Sequence, residues 1–333
     1  MNAIAESDAQ IQGLPRRSRQ ASTAVKTPRH EYHESVLLTE TIGLLEPRSG
    51  KVIVDGTLGG GGHTAALLAG GARVIGLDQD PEAISYASTR LGSFGTQFTP
   101  VRSSFAKIGE VLSALAVSSI DGALLDIGVS SHQIDSPERG FSFMHEGPLD
   151  MRMDPGNPIS AADLVNTMSA EQLERIFRTY GEEPAARKIA ARLVRDRMVR
   201  PFTTTLELAE SIESVVPRHG KTHPGTRVFQ ALRIAVNREL EVLEQALLAF
   251  SAVLAPGGRF AVITFHSLED RIVKAFFTQR SMEWLDRPEW PAPRRNPDFI
   301  FKRITRKALV AGEAEQRSNP RSRSAKLRVV EKL

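Results

Sequence analysis

The chain has no cysteine, which excludes disulfides, thiolate catalysis and cysteine-ligated zinc together. It lacks any run of about 18 apolar residues that could span a bilayer, and its N-terminus lacks the basic-then-apolar pattern of a secretory signal. These absences predict a cytoplasmic protein. Excess charge is also small: a net +4 over 333 residues does not by itself argue for a polyanionic partner. Its distribution says more. Residues 1–30 carry five Lys/Arg against Glu6 and Asp8, and residues 301–333 carry ten against three Glu, so the ends are +3 and +7 and the middle is −6. Basic ends on an acidic body suit either a polyanion touched at particular places or solvated tails.

What is present is hydrophobic sequence enough, 41% of the chain, for one large or two ordinary domains. Residues 1–30 are polar and aperiodic, and a disordered basic tail is expected there. From His33 the pattern alternates. Short β-branched runs at 51–55 (KVIVD), 73–78 (RVIGLD), 98–102 and 121–127 (DGALLDI) are separated by helical stretches at 63–69, 81–91 and 106–115. Such alternation predicts a doubly wound parallel sheet. It lapses after Ser131. Residues 135–158 are rich in Pro, Gly, Asp and Met, and helices are expected at 169–180, 184–199 and 205–216. One long helix is expected over 226–254, then a strand at 259–265 and a helix at 267–277 opened by a Ser267/Asp270 capping box. Stretches 299–305 and 325–331 suit an antiparallel pair at the sheet edge. The simplest organisation is a sheet domain (31–134 and 232–333) interrupted by a helical, substrate-recognising insertion (135–231).

The first strand runs into Asp55-Gly-Thr-Leu-Gly-Gly-Gly-Gly-His63. Ligands of doubly wound sheets bind at the carboxyl ends of strands, and glycines there let the backbone approach a ligand closely. A tight turn needs one or two glycines, not the four of Gly59 to Gly62. Asp78, ending the second strand, is placed to accept the hydroxyls of a ribose. Loop and acid together fit NAD or S-adenosylmethionine equally. Asp55 tilts the choice to the latter, since a carboxylate suits an ammonium better than a pyrophosphate. Phe105 offers a face to adenine, and Asp126 and Gln133 follow at the fourth strand. Each has a plainer role open to it: Asp55 in the turn, Phe105 in the core, Asp126 as a cap.

At the fourth strand the sequence becomes specific. The segments 126–131 (DIGVSS), 138–143 (ERGFSF) and 147–154 (GPLDMRMD) are very similar to the ribosomal small subunit methyltransferase H family, whose bacterial members methylate N4 of a cytidine in 16S rRNA. So are 33–38 (HESVLL), the loop 55–63, 223–237 (HPGTRVFQALRIAVN), 264–274 (TFHSLEDRIVK) and 319–328 (NPRSRSAKLR). The resemblance runs from about residue 31 to the C-terminus. It implies a class I S-adenosylmethionine-dependent methyltransferase with a helical insertion, acting on a cytidine of the decoding region in 16S rRNA or the small ribosomal subunit. Carried over residue by residue, the cofactor contacts fall on Gly61, Gly62, His63, Asp78, Phe105, Asp126 and Gln133. Gly60 stands where other members can have a charged residue. The Asn- or Asp-Pro-Pro-aromatic motif of many amino-methyltransferases is absent, with 126–131 in its place.

A sulfonium carries its own leaving group, so neither a metal nor a covalent intermediate is expected. The cytosine amine needs in-line positioning and an acceptor for its N–H, for which Asp126, Ser130 and Ser131 are candidates. His266, after the 259–265 strand, is a candidate proton acceptor or a histidine ordering the turn. For RNA phosphates the candidates are Arg139 and Arg152 of a loose lid at 138–154, Lys188 and Arg192 on one face of a helix, and the basic stretch 317–328. Charge reversal at Arg139 or Arg152 is expected to weaken RNA binding while sparing the cofactor. A dehydrogenase, a DNA or protein methyltransferase, and a non-enzymatic assembly factor are the rival readings; a homodimer is left open.

Overall fold

The computed structural model describes residues 35–218 and 223–333; the tail 1–30, with His33 and Glu34, lies outside them. Seven strands form one sheet in the order β3-β2-β1-β4-β5-β9-β8. The strands are β1 Val52–Asp55, β2 Arg73–Asp78, β3 Phe98–Arg102, β4 Ile120–Asp126, β5 Leu254–Thr264, β8 Phe301–Arg303 and β9 Lys326–Lys332. Two-residue strands β6 (Trp284–Leu285) and β7 (Arg294–Arg295) pair separately. β1 to β5 pair in parallel, and β9 runs antiparallel to both β5 and β8. The doubly wound sheet and its late antiparallel pair are therefore as expected. The chain winds outward from β1 to β3, then returns to β4 on the other side of β1. That reversal opens a crevice at the carboxyl ends of β1 and β4.

Helices cover both faces. Leu243, Leu247 and Phe250 pack with Phe260 and Phe277 on one, with Phe250 stacked on Phe260 at 5.3 Å. Leu45, Leu67, Leu68 and Leu91 pack with Leu327 and Val329 on the other. A third core, drawn from Leu149 to Val236, lies among the helices Ala161–Thr167, Ala170–Gly181, Ala186–Arg197, Thr205–Glu213 and Gly225–Asn237. Capping boxes start several of these: Ser160 with Asp163, Ser169 with Gln172, Thr204 with Glu207.

Three local expectations are corrected. The helix 226–254 is two helices, Gly225–Asn237 and Glu239–Val253, broken at Arg238, whose φ of 50° is left-handed. The capping box of the helix Ser267–Arg280 sits one residue earlier, with His266 extended at the N-cap and Glu269 as its partner. Asp270 instead binds Lys326 and Arg328 of β9. Nor is 138–154 loose. Leu149 N–H donates to Thr203, Met151 N–H to Arg139, and Thr205 N–H to Gly147. Gly140 has φ +70°, and a Cβ there would overlap the carbonyl oxygen of Pro148. Gly140→Ala should cost about 2–4 kcal/mol, combining overpacking with a strained backbone; urea unfolding measures it, and an unchanged midpoint would contradict this packing.

Candidate active site

β1 ends in Asp55, and the glycine loop carries the chain into the helix Gly62–Ala69. Asp55 does not line the cavity beside this loop. It is 1% exposed; its Oδ2 accepts from Thr64 Oγ1 at 2.7 Å and its Oδ1 from Thr57 N–H at 3.2 Å. Burial pushes its carboxyl above the usual range. Its place is to shape the loop, the turn role its position left open. Gly61 takes the N-cap position at φ 73°, where a Cβ would press on Leu91 Cδ1 at 2.8 Å.

The loop forms one wall of a cavity of about 300 Å³, the lower end of the range for small-molecule sites. Gly62, His63, Asp78, Phe105, Asp126, Ser130 and Gln133 all line it; Gly61 does not. Asp78 accepts Gly59 N–H on Oδ2 and Asp80 N–H on Oδ1, each at 2.9 Å, which leaves a lone pair on each oxygen for a vicinal diol. Burial raises its pKa to about 6, against the lowering effect of those two bonds. Asp126 is held by its own N–H, which donates to Thr57 Oγ1 at 2.6 Å. Its Oδ1 is buried without a hydrogen-bond partner among the described residues, and its Oδ2 lies 3.7 Å from His63 Nδ1. Burial, then repulsion from Asp55 and Glu269, pushes its carboxyl well above the ordinary range. An orphaned buried carboxylate oxygen beside a glycine cradle suits an ammonium group. Diol acceptors, aromatic face and anion together fit S-adenosylmethionine.

Gln133 and Ser130 form a reciprocal cap, Ser130 N–H on Gln133 Oε1 and Gln133 N–H on Ser130 Oγ, both 3.1 Å. Gln133 Nε2 then reaches Asp80 at 3.0 Å. Asp80, 1% exposed, is also the anchor of Arg139.

Arg139 is accordingly not a free cation. It is 9% exposed, bonded to Asp80 Oδ2 at 2.7 Å and to the carbonyls of Arg152 and Met153 at 3.1 Å. Arg152 spends its fork on Asp150 at 2.8 and 2.7 Å and on the carbonyls of Pro155 and Asn157. Both arginines staple the segment expected to be a lid. Lys188 and Arg192 stand on the helix Ala186–Arg197, Lys188 on the carbonyl of Val215 and Arg192 on Asp196; the ammonium of Lys188 is exposed. His266 also differs from expectation. It does not line the cavity; its Nδ1 accepts from Glu269 N–H at 3.4 Å as the helix cap.

The cavity has a further wall that was not expected: Arg233, Asn237, Glu239 and Val242, with Met153 and Phe265. Arg233 and Asn237 are one helical turn apart, a spacing visible in the sequence, but the break at Arg238 that brings Glu239 back to them has no glycine or proline to announce it. Among the described residues, ligand atoms of Glu239, His266 and Glu269 lie within 4.8 Å of one another, but both Glu239 oxygens already accept from Arg233 at 2.8 Å.

The fold as a whole is that of a class I methyltransferase, the class that binds S-adenosylmethionine over this crevice. Within it, the chain belongs to the MraW methylase family, whose model matches residues 30–333. The ribosomal RNA small subunit methyltransferase H of Carboxydothermus hydrogenoformans is 51% identical over 90% of this chain and 98% of its own length. That of Geobacter sp. strain M21 is 50% identical over 91% and 99%. A solved structure described as a putative rRNA-methylase from Clostridium thermocellum aligns over 90% of this chain and 99% of its own, with TM-score 0.42 and 12% identity, too distant to add to the fold. Among the described residues no helix is long and apolar enough to cross a membrane.

Proposed function

We propose that this protein transfers a methyl group from S-adenosylmethionine to the N4 amine of a cytidine in the decoding region of 16S rRNA, by direct in-line attack. The observation that carries this reading is identity of about half the residues, across nearly the whole of both chains, with proteins named ribosomal RNA small subunit methyltransferase H. When bound, the cofactor supplies an electrophilic methyl on a neutral leaving group. The protein's part is placement. Asp78 receives the ribose, Phe105 packs by the adenine, and Asp126 meets the ammonium, in place of the engaged Asp55. Gly61, Gly62, His63 and Gln133 complete the cradle, Gly61 and Gln133 by shaping it. Ser130, half-buried in the cavity wall, is a candidate contact to the incoming base. Lys188 and Arg192, with the exposed Arg323, remain candidates for phosphate; a cytoplasmic protein follows from such a substrate.

Nucleoside mass analysis of 16S rRNA from a deletion strain tests the reading. The expected result is loss of one N4-methylated cytidine, restored by the wild-type chain and not by Asp78→Ala. Loss of a ring-carbon or ribose methyl instead would overturn it. A chiral methyl group should arrive inverted, as one displacement requires; retention would mean an intermediate carrier.

A further inference from the structure

Besides the glycine loop, the cavity is lined by a buried ion pair to which no cofactor contact has been assigned. Arg233 Nε and Nη2 donate to Glu239 Oε1 and Oε2, each at 2.8 Å. Glu239 is 8% exposed, and both residues line the cavity together with Asp126 and Ser130. The pair is rigidly mounted. Asn237 donates to the carbonyl of Met151 at 2.8 Å and accepts Met153 N–H at 2.8 Å. The left-handed Arg238 then turns Glu239 back over Arg233. Behind Glu239 lie His266 and Glu269. Glu269 Oε2 accepts Phe265 N–H at 2.8 Å, while Oε1 faces His266 Nε2 at 3.0 Å without the alignment of a hydrogen bond. The guanidinium and carboxylate that line the cleft thus have a second carboxylate and an imidazole packed behind them.

We infer that Arg233 and Glu239 form the base-reading edge of this site, with Glu239 accepting an N–H of the target amine and Arg233 donating to the ring. This rests on the methyl acceptor proposed above. The chemistry is complementary. Cytosine presents an N4 donor beside the acceptors N3 and O2, and a carboxylate beside a guanidinium answers that order. The Nη1 edge of Arg233 has no hydrogen-bond partner among the described residues, so it is available to the base; each Glu239 oxygen keeps a second lone pair. Uracil reverses the order and would set its O4 against the carboxylate. Adenine repeats the first two groups, so contact with O2 is what separates it from cytosine.

The same placement serves the reaction. An N–H bond to Glu239 draws the amine out of conjugation and leaves its lone pair for the methyl. As nitrogen bonds the methyl carbon, the carbon–sulfur bond breaks with its electrons kept by sulfur. The nitrogen then sheds one proton to Glu239, from which it passes to water when the product leaves. His266, whose Nδ1 is engaged as a cap, is a positioning residue behind this carboxylate.

The test uses small subunits from the deletion strain carrying C or U at the target position, with wild type, Glu239→Gln and Arg233→Lys. Glu239→Gln should slow single-turnover methylation of the C substrate about a hundredfold. In competition binding, its preference for C over U should fall about tenfold or more, while calorimetric affinity for S-adenosylhomocysteine stays unchanged. Arg233→Lys keeps the charge and loses the fork; it should lower the same preference and remains informative if Glu239→Gln melts early. A purely structural role would lower the melting temperature and cofactor affinity and leave the C-over-U ratio alone. That result, or unaltered single-turnover rates in both variants, overturns the inference. If the wild type itself makes no N4-methylcytidine, it is the proposed function that has failed.

Discussion

Asp78→Ala should weaken S-adenosylmethionine binding by about two to four orders of magnitude, since two hydrogen bonds to a charged acceptor are worth roughly 1.5–3 kcal/mol each. Isothermal titration measures it. The carboxyl of Asp78, raised by burial to about 6, also makes the binding pH-dependent. Proton and ribose compete for the same oxygens, so affinity should fall by up to about tenfold per pH unit below 6; it should be flat from 7 to 8. For folding the sign is opposite. A carboxyl with a folded pKa above its unfolded value holds its proton more tightly in the native state. Its contribution is therefore fully present below about 4 and lost as pH rises through about 6. In the unliganded protein, Asp78→Asn should gain on wild type in unfolding free energy between pH 4.5 and 7. A difference that stays constant over that window would contradict the burial of an ionisable carboxyl here.

Much of this cleft was legible in the sequence because its parts are local. Runs such as KVIVD and RVIGLD alternate with helices, and that alternation fixes where strands end. Four glycines at the first strand end and an acid at the second then fall beside one another in any doubly wound sheet. What was not legible depends on which side chain a polar group meets. Residues 135–158 look like a loop because Pro, Gly and Asp carry no period. They are ordered by arginine forks on backbone carbonyls, and periodicity cannot report such bonds. The left-handed Arg238 shows the same limit. Nothing in VNREL marks a break, yet the break sets Glu239 on Arg233. The misplaced capping box has a simpler cause: histidine is an uncommon N-cap, and Ser267 beside it offered the commoner one.

Arg139→Ala should abolish cofactor binding along with RNA binding, contrary to what a phosphate contact would do. The guanidinium answers Asp80, which also caps the helix Pro81–Leu91 through Glu82 N–H at 3.0 Å and holds Gln133 against the cavity. Removing one member of a buried pair leaves the other uncompensated, at about 3–5 kcal/mol, or roughly 10 °C in melting temperature for a chain this long. The carbonyls of Arg152 and Met153 lose their donor as well. Lys188→Glu is the contrast, because Lys188 is exposed and, among the described residues, bonded only to the carbonyl of Val215. It should weaken RNA binding in a salt-dependent way and leave melting temperature and cofactor affinity unaltered. Removing the buried charge as well, with Asp80→Asn in the Arg139→Ala background, should restore part of the lost stability, since what Arg139→Ala exposes is an unpaired carboxylate rather than a missing contact to RNA. Were Arg139→Ala to melt like wild type and bind cofactor normally, the arginine would be a surface cation after all, and the segment from Glu138 to Asp154 would be free to move as a lid.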